Sequence, residues 1–229
     1  MVLAILLALL ALTTACTSKH DEGHAAYRGK DMLGAFRVWE QCSEAGDAAC
    51  QYDLAMMYLN GEGRPIDVKA AMQWLSVSAG KGDTSAQNRL GLLYLSGKVL
   101  TQDYPRAMEY FLAAAKRGFP AGQANVGLMY WHGYGVPIDL PEAFAWSESS
   151  AQKLPSGAKQ RNSIVKEMSG EQWAKGRDRA EEIKKLYQPP SDFSWITAME
   201  VASVGITFIM GALMIVGIVR KKMFPNLPA

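Results

Sequence analysis

Charge imbalance is what this sequence has least of: 24 lysines and arginines stand against 22 aspartates and glutamates, a formal net charge of +2. Binding to a nucleic-acid backbone needs a basic stripe or a clearly basic domain, so no nucleic-acid partner is expected. Cysteine is scarce too, at three residues, and no two of them form a C-x-x-C pair. That count and spacing argue against a disulfide miniprotein and against thiol redox catalysis. What is present is a chain of 229 residues, 49% apolar and 20% charged, which is enough to fill one globular unit of ordinary size.

The apolar residues are unevenly placed. Residues 1–15, MVLAILLALLALTTA, are apolar or small and carry no charge, including none of the basic residues usual at the start of an export signal. At ~1.5 Å per residue they fall short of a ~30 Å hydrocarbon core, so they read as a signal peptide rather than a span. Thr13 and Ala15 are small enough for conventional cleavage after Ala15, whereas Cys16 behind them resembles a bacterial lipoprotein attachment site, with Thr13 standing where leucine is usual. Lipidation of Cys16 is the expectation and conventional cleavage the alternative, with residues 16–28 as a flexible tether. Near the other end, Val201–Val219 carries no charge and is followed by Arg220, Lys221 and Lys222. Such a run spans a bilayer and its basic flank stays cytoplasmic. We therefore expect a linker over 188–194, a transmembrane helix over 195–219 and a cytoplasmic tail over 220–229. The expected address is a bacterial inner membrane, crossed once, with the bulk of the chain in the periplasm.

Between the ends, the chain repeats itself at an offset of 36 residues. Leu54, Leu90 and Val126 superpose, as do Tyr58, Tyr94 and Tyr130, Gly61, Gly97 and Gly133, Asp67, Asp103 and Asp139, Ala71, Ala107 and Ala143, and Trp74, Tyr110 and Trp146. Each unit reads as two helices. The first carries apolar residues at helical spacing and ends in a glycine loop, and the aspartate caps the second, with Pro105 and Pro141 in its first turn. One such pair cannot bury its own apolar face, so stacking must supply the core.

These residues resemble the Sel1-like repeat family, relatives of tetratricopeptide repeats, whose units carry a Leu-Gly-x-x-Tyr first helix, a Gly-x-Gly loop, an Asp and a Lys-Ala start to the second helix. The resemblance covers three full units, Asp47 to Leu154, with a half unit, Gly34 to Gly46, upstream. It implies an all-α, right-handed superhelical solenoid over 29–154, closed by capping helices over 155–187, where Ser169 and Gln172 make a capping box. Ala55 stands for the glycine of the first unit's helix. Val99 stands for the second loop glycine of the middle unit, so the resemblance does not carry that loop's geometry.

The cysteine-rich secreted branch of the same family bridges its helix pairs across the turn that separates Cys42 from Cys50. A disulfide between them is therefore implied, at positions where the other units place small residues, and two free buried thiols are the alternative. Relatives in that branch have been linked to penicillin binding and beta-lactam hydrolysis, and S-x-x-K occurs at Ser78–Lys81, Ser150–Lys153 and Ser163–Lys166. The first two share a repeat position, and no S-D-N or K-T-G partner accompanies them, so an envelope hydrolase is the alternative and not the expectation.

His20 and His24 share a helix face with Asp21 and Glu22 between them, but H-D-E-G-H fits no metalloprotease order, and a tether rather than a metal site is expected there. No cofactor and no small-molecule substrate are implied. The first helices leave a stripe that the core does not need: Asp53, Met56 and Asn60; Arg89, Leu92 and Ser96; Asn125, Leu128 and His132. We expect this stripe, with Met56, Leu92 and Leu128 at its centre, to receive a segment of a protein partner, making the chain a scaffold or adaptor of an envelope complex. The alternative is that these residues pack between neighbouring units.

Overall fold

The computed structural model describes residues 19–187, so the expected signal peptide, Cys16, the linker, the transmembrane run and the tail lie outside the described residues. Among the described residues there are ten helices and no strand, and no helix is long and apolar enough to cross a membrane. The helix α1 runs over 19–28 and α2 over Met32–Glu44. Three units follow: α3 (Ala48–Asn60) with α4 (Val68–Gly80), α5 (Thr84–Ser96) with α6 (Tyr104–Lys116), and α7 (Pro120–His132) with α8 (Leu140–Ala151). The pair α9 (Pro155–Val165) and α10 (Gly170–Tyr187) closes the series. The first helices of the units begin at 48, 84 and 120, so the 36-residue period is realised without slippage.

Aspartate sets where the helices start. Asp67, Asp103 and Asp139 accept hydrogen bonds from the amides of Ala70, Arg106 and Glu142 at 2.9, 2.9 and 3.0 Å. Asp31 does the same for α2, accepting from Gly34 at 2.8 Å, which makes the half unit a true second helix in register. Asp47 and Asp83 cap the first helices α3 and α5 through Cys50 and Ala86. Phe119 takes that position in the third unit and makes no cap bond; Pro120 follows at the first helical position, where its missing N–H is no loss. Each side-chain cap is worth roughly 1 kcal/mol. At the C-terminal end, the amide of Ser169 donates to Gln172 Oε1 at 2.9 Å and that of Gln172 to Ser169 Oγ at 3.3 Å, the reciprocal box its sequence implies.

Close approach between helices decides the small residues. A methyl on Gly91 would lie 2.5 Å from the ring of Phe111, which is fully buried. One repeat earlier Leu75 replaces the phenylalanine, and there Ala55 fits in place of the glycine, also fully buried. In the loop of the middle unit, Val99 is not in the left-handed conformation that Gly63 and Gly135 adopt at φ 73° and 72°, and Gln102 instead donates its side-chain amide to the Leu95 carbonyl.

Three apolar clusters lie along the stack. One joins α2 to α3 through Phe36, Trp39, Leu54 and Met57; the next holds Ala55, Leu75, Leu90 and Leu93; the last runs from Phe111 and Met129 to Trp146, Ile164 and Ile183. Between them runs a polar ladder. Gln51, Gln87 and Gln123, one per unit and buried, donate to the carbonyls of Ser43, Ala79 and Ala115 at 3.0, 3.1 and 3.4 Å. Each ties a first helix to the second helix before it, adding a second donor to a carbonyl at that helix's end that already accepts from the amide of Gly46, Gly82 or Gly118 at 2.9–3.0 Å.

Cys42 and Cys50 are joined in a disulfide, their Cα atoms 5.9 Å apart and both residues fully buried. Their positions fall at the tight crossing of α2 and α3, which the other units fill with Ser78 and Ala86 or with Ala114 and Gly122.

The expectation of a flexible tether up to residue 28 is corrected over 19–28. That segment is a helix, because Ala26 and Tyr27 pack on the α2–α3 cluster and Trp39 Nε1 donates to the His20 carbonyl at 3.4 Å.

Candidate functional site

The stripe on the first helices follows from their common register. In α3, α5 and α7 the core takes Leu54 and Met57, Leu90 and Leu93, and Val126 and Met129, all buried. One helical face over, Asp53, Met56, Arg89, Leu92, Asn125 and Leu128 are half-buried, while Asn60, Ser96 and His132 are exposed. The nine residues thus share a graded face, apolar at the centre and polar at the margin. Leu92 also rests against the cluster of the second and third units, so part of its surface serves packing between units. Asn125 donates to Asn88 Oδ1 at 2.8 Å, bridging α7 to α5.

The face is not equally open along its length. In the first unit α1 lies over it. His20 Nε2 is 2.7 Å and His24 Nε2 3.3 Å from the same oxygen, Oδ2 of Asp53. Burial pushes the Asp53 carboxyl above the usual carboxylate range, against the opposing pull of the His20 hydrogen bond and of the two imidazoles. Tyr27 on α1 donates to Glu62 at 3.1 Å, and the hydrogen bond to that carboxylate raises its hydroxyl pKa. Between α1 and α3 remains a cavity of about 210 Å³, lined by His24, Tyr27, Trp39, Met56, Asn60 and Glu62 among others. Met56 and Asn60, expected to meet a partner, therefore face a helix of the same chain.

In the second and third units no helix of the described residues bonds to the stripe in this way. Arg89 sits there half-buried, and its Nε is sealed from solvent with no hydrogen-bond partner among the described residues. Neither this orphan nor the docking of α1 follows from the repeat pattern, since both depend on what lies across the face.

The S-x-x-K serines occupy structural positions. Ser78 is fully buried and donates to the Ala48 carbonyl at 2.7 Å, and Lys81 Nζ donates to the Gly46 carbonyl at 2.6 Å. Ser150 is fully buried where α8 meets Gly157, and Ser163 donates to the carbonyl of Lys159 within its own helix. Ser78 and Ser163 thus spend their hydroxyls on helix carbonyls, while Ser150 Oγ is sealed from solvent with no hydrogen-bond partner among the described residues.

A second concavity, of about 370 Å³, lies between α8 and α10 beside Phe144, Glu148, Trp173 and Arg177. Trp173 is 41% exposed, with the Arg177 guanidinium 4.5 Å above its ring. An exposed tryptophan at this position is the residue least explained by the repeat.

Comparison with known proteins agrees with this architecture. Residues 48–83, 84–119 and 120–153 each match the Sel1 repeat. No curated protein matches the sequence. Among solved structures, the chain is similar to a Sel1 repeat protein from Oxalobacter formigenes, with a TM-score of 0.63 and 23% identity over 73% of this chain and 72% of that one. It is also similar to a protective antigen present in uropathogenic Escherichia coli strains and displaying an SLR fold, with a TM-score of 0.50 and 23% identity. The second match covers 76% of this chain but only 46% of the antigen. At such identities the likeness is one of fold, and it coincides with the capped, 36-residue helix pairs described above: the chain carries three consecutive Sel1 repeats over residues 48–153.

Proposed function

We propose that the chain is a non-enzymatic scaffold or regulatory adaptor of a bacterial envelope complex, holding a segment of a protein partner against the first helices of its second and third units. Sel1 repeat proteins are generally protein-interaction scaffolds. The observation that carries the reading is Arg89, whose buried Nε has no acceptor among the described residues. A buried donor left unpaired costs about 1–3 kcal/mol, so a shift of the half-buried Arg89 side chain onto a carbonyl or carboxylate supplied from outside is favoured. Leu92 lies one turn along the same face and Leu128 occupies the equivalent place one unit on, giving apolar area beside the charge. Ser96 and His132 are exposed at its margin. A helix or extended segment with apolar residues and one acidic residue matches this chemistry.

The proposed address rests on the sequence at the two ends: the signal-like stretch 1–15 with Cys16 behind it, and the uncharged run within 195–219 with its basic flank. The Cys42–Cys50 bridge suits the oxidising periplasm. Only residues 188–194 separate the described helices from the proposed span, and at ~3.4 Å each they allow little reach. The partner is accordingly membrane-embedded or juxtamembrane.

Leu128→Asp and Arg89→Glu test the reading separately. Each should abolish co-purification of the partner from solubilised membranes while leaving the far-ultraviolet circular dichroism of the chain unchanged. Loss of helicity on Leu128→Asp would make the stripe a core element, and unchanged capture in both variants would remove it as the docking face.

A further inference from the structure

We propose that His20, His24 and Asp53 form a site for a divalent transition-metal ion of the zinc type, which pins α1 onto the first repeat. The two histidines stand one turn apart on α1, with ring centroids 4.5 Å apart. Their Nε2 atoms converge on a single oxygen of Asp53, which comes from α3, at 2.7 and 3.3 Å. One ligand atom from each of the three residues lies within 4.8 Å of the other two. No such convergence is needed to hold α1, which is already anchored by Tyr27 on the apolar cluster and by Trp39 on the His20 carbonyl.

Zinc bound at 2.0–2.2 Å in a tetrahedron separates its ligand atoms by about 3.3 Å. The His24–Asp53 pair has that spacing. The His20–Asp53 pair must open by roughly half an ångström, a change that side-chain rotation supplies without moving either helix. Two imidazoles and one carboxylate select zinc, nickel or copper over calcium and magnesium, which take oxygen ligands. Trp39 meets the His24 ring edge-on at 5.1 Å and restricts its rotation. Glu62, on the wall of the adjoining cavity, adds negative charge that favours a cation. Three protein ligands leave a fourth position for water or an incoming group. The inference concerns α1 and the first unit alone, and it stands whether or not the open stripe binds a partner.

The test uses the full-length chain, free of any histidine tag and stripped with a chelator, titrated with zinc by calorimetry and with cobalt by visible absorption. A single equivalent should bind, with the cobalt spectrum of a four-coordinate nitrogen and oxygen site. His20→Gln, His24→Gln and Asp53→Asn should each weaken binding by at least about tenfold, while His132→Gln, which removes the remaining histidine, should not. Zinc should raise the thermal midpoint of the wild type and not that of Asp53→Asn. Asp53→Asn preserves side-chain shape, so it decides the matter even if a histidine variant releases α1. Binding no tighter than that of the His20→Gln/His24→Gln double variant, or binding undiminished by Asp53→Asn, would overturn the site.

Discussion

At its C-terminal end the stack closes with α10, eighteen residues whose Ala180 and Ile183 enter the same cluster as Phe144 and Trp146. At its N-terminal end it closes with α1, which lies over α3 through Tyr27, two histidines and Asp53, next to a half unit fastened by a disulfide. Both ends answer the same need, because an end repeat has no neighbour to cover its apolar face. A long amphipathic helix covers it by burying hydrocarbon. At the other end the described part of α1 contributes Ala26 and Tyr27 to the α2–α3 cluster, with a covalent bridge beneath it and the contact of two histidines with Asp53 beside it. The end with the polar contact is also the end where α1 lies over part of the stripe.

The largest expected effect is at the C-terminal end. Ile183 is fully buried, and Ile183→Ala should cost about 2–5 kcal/mol of stability, read as a lowered midpoint in denaturant unfolding. A cost below about 1 kcal/mol would mean that α10 is not an apolar closure and would break the comparison. At the other end, Cys42→Ser with Cys50→Ser should cost about 2.5 kcal/mol by loop entropy for so short a loop. The loss of hydrogen-exchange protection should be confined to α2 and α3 and leave α8 to α10 unchanged; a uniform loss would show that the two ends are not separable. The middle of the stack provides the reference. Gln87→Ala removes one of two hydrogen bonds to the Ala79 carbonyl, which keeps the Gly82 amide, and should cost about 1 kcal/mol, with exchange rising where α4 meets α5. Smallest should be Arg179→Ala, which breaks a partly exposed pairing of α10 with Glu142 and Glu182 for about 0.5 kcal/mol or less. If that variant unfolds as readily as Ile183→Ala, the C-terminal closure is electrostatic rather than apolar.

The contrast also marks what could be read without coordinates. Helix pairs, their register, the caps at Asp67, Asp103 and Asp139 and the box at Ser169 were legible, because each is local and recurs or has a fixed short spacing. Asp47 and Asp83 were equally periodic, but Phe119 breaks the series in the third unit, and that hid the first-helix cap. Gln51, Gln87 and Gln123 keep the period without a break; a search for invariant polar residues at the 36-residue offset would have found them. The pairing of Gly91 with Phe111 and of Ala55 with Leu75 was hidden because each involves two helices of a unit at once. The contact of His20 and His24 with Asp53 spans about thirty residues and two unlike elements, so no local spacing announces it. Of the expected docking residues, the graded burial was legible from helix periodicity, whereas the placing of α1 beside Met56 and Asn60 and the orphaned Nε of Arg89 were not.

Photo-crosslinking in intact membranes, with a reactive residue placed in turn at 60, 96 and 132 on the stripe and at the exposed Gln73 and Glu109 on second helices, addresses the docking face most directly. The account predicts one discrete adduct from positions 96 and 132, little from 60 beside α1, and none from 73 and 109. Adducts arising chiefly from 73 and 109 would contradict it and move the partner to the opposite face of the stack.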